Sequence, residues 1–136
     1  MGRAEIIEQT GVVAVVRLDD LSAAVAVTEA LLDGGVRAVE FTFTNRQAAR
    51  AIEEAKAAVG DRGLIGAGTV LDPETARIAL LAGAEYIVTP TFKASTVELC
   101  NRYGVPVVCG ALTPTEILTA WEAGATYVKV HPASLG

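Results

Sequence analysis

Six short apolar runs alternate with helical stretches along the whole of this 136-residue chain, and that rhythm leaves few folds open. Gly11 to Arg17 reads as a first strand, and Asp20 to Leu32 as a helix closed by Gly34-Gly35. Ala38 to Thr44 is a second strand, followed by an Ala-rich helix from about Arg46 to Val59. Leu64 to Thr69 is a third strand. Asp72-Pro73-Glu74 then opens a helix with an N-cap residue and a proline at the first helical position. Tyr86 to Thr89 is a fourth strand, and Ser95-Thr96-Val97-Glu98 fits a capping box at the start of the next helix. Val105 to Ala111 is a fifth strand. Thr113-Pro114-Thr115-Glu116 starts a helix that ends near Gly124, and Thr126 to His131 is the sixth strand. Strict alternation with short loops means parallel strands joined by right-handed crossovers.

A repeat runs through the units. Gly35, Gly83 and Gly124 each close a helix, and the residue five positions later, Glu40, Val88 or Lys129, lies inside a strand. Linkers and low-complexity segments are absent, so residues 1–136 read as a single domain. Between an open doubly wound sheet and a barrel, the barrel is favoured. No G-x-G-x-x-G follows the first strand, and Gly66-Ala67-Gly68 matches that pattern only in part. Polar residues gather instead near the C-terminal ends of several strands, where a (β/α)8 barrel assembles its site: Arg17, Glu40 to Thr44, Thr69, Thr89 and Lys129.

Composition removes other function classes. The chain is 51% hydrophobic and only 5% aromatic, the usage of Ala-rich helices on Val-rich parallel strands. Eleven basic and 16 acidic side chains give a net charge of −5 without a basic cluster, which argues against nucleic acid as a partner. No apolar run approaches the roughly 20 residues that cross a bilayer, and the N-terminus lacks the apolar stretch of a signal peptide. Cytoplasmic location is therefore expected. Cys100 and Cys109 have no ligand-like spacing, so both are read as small buried hydrophobes and no metal site is expected.

Chemistry enters with Lys129, in the run Tyr127-Val128-Lys129-Val130-His131-Pro132. A strand of this composition is expected to be buried on both faces, where desolvating an ammonium costs several kcal/mol and the proton is easily lost. A lysine held partly neutral in an apolar site can form a Schiff base with a carbonyl. The competing reading is a lysine that blocks pairing at a sheet edge. Glu40 lies in Ala38-Val39-Glu40-Phe41-Thr42-Phe43-Thr44, where period-two alternation puts Glu40, Thr42 and Thr44 on one face and Val39, Phe41 and Phe43 on the other. The apolar face must meet the helices, so Glu40 points inward, and a carboxylate there needs a cationic partner or a task. Lys129 and Glu40 thus form a candidate pair of amine nucleophile and general base.

Arg17 ends the first strand and is a candidate for gripping an acidic substrate group. Alternatively it leaves the core to meet Asp19 or Asp20. Thr69 could donate to a carboxylate or simply end its strand. His131 is the only histidine and is read as a packed residue near a loop. Trp121 and Phe92 are read as packing residues on helices. Lys56 and Lys93 are read as solvated, which leaves Lys129 as the one lysine in a strand.

These residues match a known family. The chain resembles the 2-keto-3-deoxy-6-phosphogluconate aldolases and the related 4-hydroxy-2-oxoglutarate aldolases from Gly11 onward. The marks are Val15-Val16-Arg17, Gly34-Gly35-Val36 leading to Glu40-Phe41-Thr42, Gly66-Ala67-Gly68-Thr69-Val70, Thr113-Pro114-Thr115-Glu116, and Val128-Lys129 before Pro132-Ala133. The resemblance implies a class I aldolase that uses neither metal nor cofactor and works as a homotrimer, in carbohydrate metabolism of the Entner-Doudoroff type. It implies that Lys129 forms a Schiff base with the keto acid and that Glu40 shuttles protons. Arg17, Thr69 and Pro90 would line the pyruvate pocket. Thr44 stands in the same pocket where many relatives carry an arginine, His131 where an aromatic is common, and Thr89-Pro90-Thr91 where the family has Ser-Pro-Gly.

The resulting expectation is a (β/α)8 TIM barrel of which this chain holds about six of the eight units. The edges of strands one and six would then be unpaired, and the phosphate-binding loops after strands seven and eight would be missing. Weak or absent activity on a phosphorylated substrate is expected from such a chain. The alternatives are a non-catalytic trimeric assembly scaffold or an inactive fragment of such an aldolase, and a barrel enzyme that binds phosphate without covalent chemistry.

Overall fold

The computed structural model describes residues 2–135. The strands are β1 (Val13–Val16), β2 (Ala38–Thr42), β3 (Leu64–Gly68), β4 (Ile87–Thr89), β5 (Val107–Ala111) and β6 (Tyr127–Val130). Between them lie α2 (Ala24–Asp33), α3 (Ala48–Val59), α4 (Pro73–Ala82), α5 (Ala94–Arg102) and α6 (Pro114–Glu122), with α1 (Arg3–Thr10) ahead of β1. The described strands form one sheet in the order β1-β2-β3-β4-β5-β6, and every neighbouring pair is parallel.

Turn chemistry sets the repeat. Gly35, Gly83 and Gly124 take φ of 96°, 108° and 101°, a region that favours glycine, and each ends its helix so that a strand can follow. Helix starts are equally local. Asp72 accepts from the Thr75 amide, and Thr113 with Glu116 forms a complete capping box ahead of Pro114. The box expected at Ser95–Glu98 does not form. Helix α5 starts two residues earlier, with Lys93 at its N-cap, so Ser95 already sits in the first turn.

Laid flat, six strands about 4.8 Å apart would hold β1 and β6 roughly 24 Å from each other. Instead Val13 and Val15 of β1 line the same cavity as Lys129 of β6, so the sheet curls. Its two faces build two cores. Val39, Phe41, Ile65, Ile87 and Val107 face outward onto the helices, where small residues such as Ala51, Ala55, Ala76 and Ala79 allow close approach. Ala38, Leu64, Tyr86 and Val88 face inward and pack with Val13 and Val108. Helix α1, which the sequence pattern did not reveal, closes the bottom of this inner core with Ile6 and Ile7. The Tyr127 hydroxyl donates to Glu8 at 2.5 Å, which ties α1 to β6.

Three expectations need correction. Lys56 is not solvated: its ammonium lies 2.8 Å from Glu85 and also donates to the Gly60 carbonyl, which draws α3 to the strand-4 approach. Trp121 is 60% exposed on the outer face of α6. Phe92 does pack against the core, but from the loop before α5 rather than from a helix. Cys100 and Cys109 are buried and unpaired, as expected. Among the described residues, no helix is long and apolar enough to cross a membrane.

Candidate active site

Strand β2 is buried at all five positions, so its alternation sorts side chains between two interiors. Phe41 goes to the helices, and Glu40 enters the curled sheet, where it is 2% exposed. Room for its carboxylate comes from β3. A Cβ at Gly68 would collide with Glu40 Oε1, so a side chain there would displace the carboxylate. Burial pushes the Glu40 carboxyl up to about 7, against the opposing pull of the Lys129 and Arg17 charges. Both protonation states are therefore accessible near neutral pH.

Lys129 lies on β6 in register with Gly110 of β5. Register partners in a parallel pair point the same way, so the lysine has a bare backbone beside it. Together with Glu40 it lines a cavity of about 240 Å³ whose remaining walls are Val13, Val15, Val88 and Val108. The three strand positions marked by the glycine repeat, Glu40, Val88 and Lys129, thus converge on one space. Burial of β6 on both faces is not found. Among the described residues it pairs with β5 alone, and Lys129 is half-buried.

Arg17, Thr69 and Thr44 sit at the rim. Arg17 is exposed, and its Nη2 donates to Thr69 Oγ1 at 3.0 Å rather than turning to Asp19 or Asp20. Thr69 holds φ of 54°, uncommon for a residue with a branched Cβ, and this aims its hydroxyl at the arginine. Thr44 is exposed just past β2, with its hydroxyl 3.0 Å from that of Thr42. With Arg17, Asp19 and Arg46 it lines a cleft at the C-terminal ends of β1 and β2. Pro90 follows β4, half-buried. Its carbonyl lies where a Cβ at Gly110 would be, on the side of the sheet to which Lys129 points. Thr89 is buried and donates to the Thr91 carbonyl at 2.8 Å. His131 is half-buried, and its backbone amide donates to Ala111.

Sequence reasoning missed two contributors to the interior, Tyr86 and the bare inner face of β3. The alternate glycines of Gly66-Ala67-Gly68 were the available signal, because beyond Leu64 one face of that strand has no side chains. Chemically, an amine and a carboxyl that titrates near 7, converging in an apolar cavity, suit carbonyl addition followed by proton transfer.

Known proteins resemble this chain closely. A 2-dehydro-3-deoxy-phosphogluconate aldolase of Treponema pallidum is 41% identical over 96% of this chain and 62% of its own length. A 2-dehydro-3-deoxy-6-phosphogalactonate aldolase of Escherichia coli is 40% identical over 82% of this chain and 54% of its own. The structure of a Legionella pneumophila KDPG aldolase, with pyruvate captured as a covalent carbinolamine, superposes with a TM-score of 0.84 at 27% identity. That match covers 90% of this chain and 59% of the other. The chain therefore spans about three-fifths of the length of these relatives. Residues 4–136 match the family model described as KDPG and KHG aldolase, and the chain belongs to that family.

Proposed function

We propose that this chain is a class I aldolase that cleaves a 2-keto-3-deoxy-6-phosphogluconate-type or 4-hydroxy-2-oxoglutarate-type substrate to pyruvate and an aldehyde. One observation carries the reading: Lys129 and Glu40 line the same apolar cavity inside the curled sheet. The Lys129 amine adds to the C2 carbonyl, and loss of water from the carbinolamine leaves an iminium. Glu40 takes the proton of the C4 hydroxyl as the C3–C4 bond breaks and the aldehyde leaves. The iminium accepts the electron pair as an enamine. Glu40 returns the proton to C3, and hydrolysis frees pyruvate and the amine. Arg17, held by Thr69, grips the keto acid carboxylate, while Thr44 and Pro90 shape the rim and the support of the pocket.

Family resemblance further supports a homotrimer in the cytoplasm, acting in sugar-acid breakdown of the Entner-Doudoroff type. The names of the relatives support both phosphogluconate-type and phosphogalactonate-type substrates. Borohydride trapping with pyruvate, read by intact mass and peptide mapping, tests the central step. A reduced pyruvyl adduct on Lys129, absent from Lys129→Ala, is expected. A folded sample without any adduct would overturn the reading.

A further inference from the structure

Two buried hydroxyls lack a hydrogen-bond partner among the described residues, that of Thr96 on α5 and that of Tyr86 in the inner core. Tyr86 is 0% exposed, and its hydroxyl has no hydrogen-bond partner among the described residues. Leaving a buried hydroxyl unmade is costly, whereas a phenylalanine would fill the same volume without that penalty. Glu40 is the complementary case, because its buried carboxylate receives no hydrogen bond from the described residues.

Strand β3 brings the two together. Gly66 is the register partner of Glu40, and a Cβ there would meet ring carbons Cε1 and Cζ of Tyr86 at 2.5 Å. One pleat further on, a Cβ at Gly68 would strike the Glu40 carboxylate. The phenol ring and the carboxyl group therefore lie on the bare inner face of one strand, two residues apart along it, or roughly 7 Å. The other acceptor near the phenol, Glu85, is already engaged by the Lys56 ammonium and the Ile65 amide. Burial, with the Glu40 and Glu85 charges nearby, holds the Tyr86 hydroxyl protonated well beyond the ordinary tyrosine range, so it remains a donor.

We propose that Tyr86 is a positioning residue for Glu40: the two groups do not bond in this structure, and a shift of the Glu40 carboxyl, or one bridging water, lets the hydroxyl donate to it. This gives a partner to the proton shuttle of the aldolase reading, and it rests on that reading for its role in turnover. A donor to the charged form favours that form. It thus offsets part of the desolvation and keeps Glu40 able to take a proton as well as give one. The other charged groups facing Glu40 are Arg17, just past β1, and Lys129 from β6. On the inner face, β5 contributes only Val108 and Gly110.

The test is direct titration of the Glu40 carboxyl carbon by NMR in the 136-residue chain and in Tyr86→Phe, with Glu40→Gln fixing the assignment. Phenylalanine keeps the ring over Gly66, so a purely packing role predicts no change. The expected result is a Glu40 midpoint roughly one pH unit higher in Tyr86→Phe, the scale of one hydrogen bond to a charged group. Coincident midpoints would overturn the proposal. This readout needs no turnover, so borohydride trapping of both chains tests the aldolase reading separately.

Discussion

Gly68 is bare because Glu40 occupies the space that any side chain at position 68 would need. The two residues belong to neighbouring strands, and Thr42 rather than Glu40 is the register partner of Gly68. The carboxylate therefore leans one pleat toward the C-terminal face of the sheet, where carbonyl substrates enter a barrel.

Gly68→Ala should accordingly destabilise the chain by about 1–3 kcal/mol, the range for forcing a methyl into a packed interior. Urea unfolding measures this. In the double variant with Glu40→Ala the penalty of the methyl should fall by at least about 1 kcal/mol, because the obstructing group is gone. Strictly additive losses would mean that the collision lies elsewhere.

Glu40 also makes stability depend on pH with a defined sign. Its carboxyl titrates near 4.5 when unfolded and near 7 when folded, so the native state holds the extra proton between those values. The contribution is complete below pH 4.5 and is lost as pH rises through 7, by about 3 kcal/mol in all. Glu40→Gln removes this dependence while other titrating groups cancel. The stability difference between the two chains should therefore shift in favour of the glutamine variant from pH 4.5 to 8. A difference that is flat across that window would contradict the burial argument.

Thr69 pairs a strained backbone with a hydroxyl that holds Arg17. Thr69→Gly should relieve up to about 1 kcal/mol of left-handed strain and leave stability unchanged or raised. Pyruvate binding should weaken several-fold, because the guanidinium loses the contact that orients it. Isothermal titration and thermal unfolding on the same samples separate the two effects. Weaker binding with lower stability would show Thr69 to be merely structural.

The order of strands was legible because glycines with positive φ follow the helices and most strands are long enough to show their parity. Glu40 was legible for the same reason, since five alternating residues around it leave one orientation. Tyr86 was not. It precedes a three-residue strand whose alternation fixes little, and only the glycine opposite it reveals where its ring goes. Helix α1 was hidden by composition, since Ile6 and Ile7 are too few to make a recognisable stripe until the barrel bottom supplies their partners. The half-buried state of Lys129 depends on what flanks β6, and no pattern within the strand encodes its neighbours.

Tyr127, two residues before Lys129, is fastened to Glu8 across 119 positions of sequence. This contact puts a condition on the order of folding. Closing so long a loop is entropically costly and slow compared with forming neighbouring strand pairs. Strand pairs such as β2 with β3 are expected to form before this closure brings the Lys129 amine to the Glu40 carboxyl. The reactive pair is then completed last, and a partly folded chain carries no competent nucleophile.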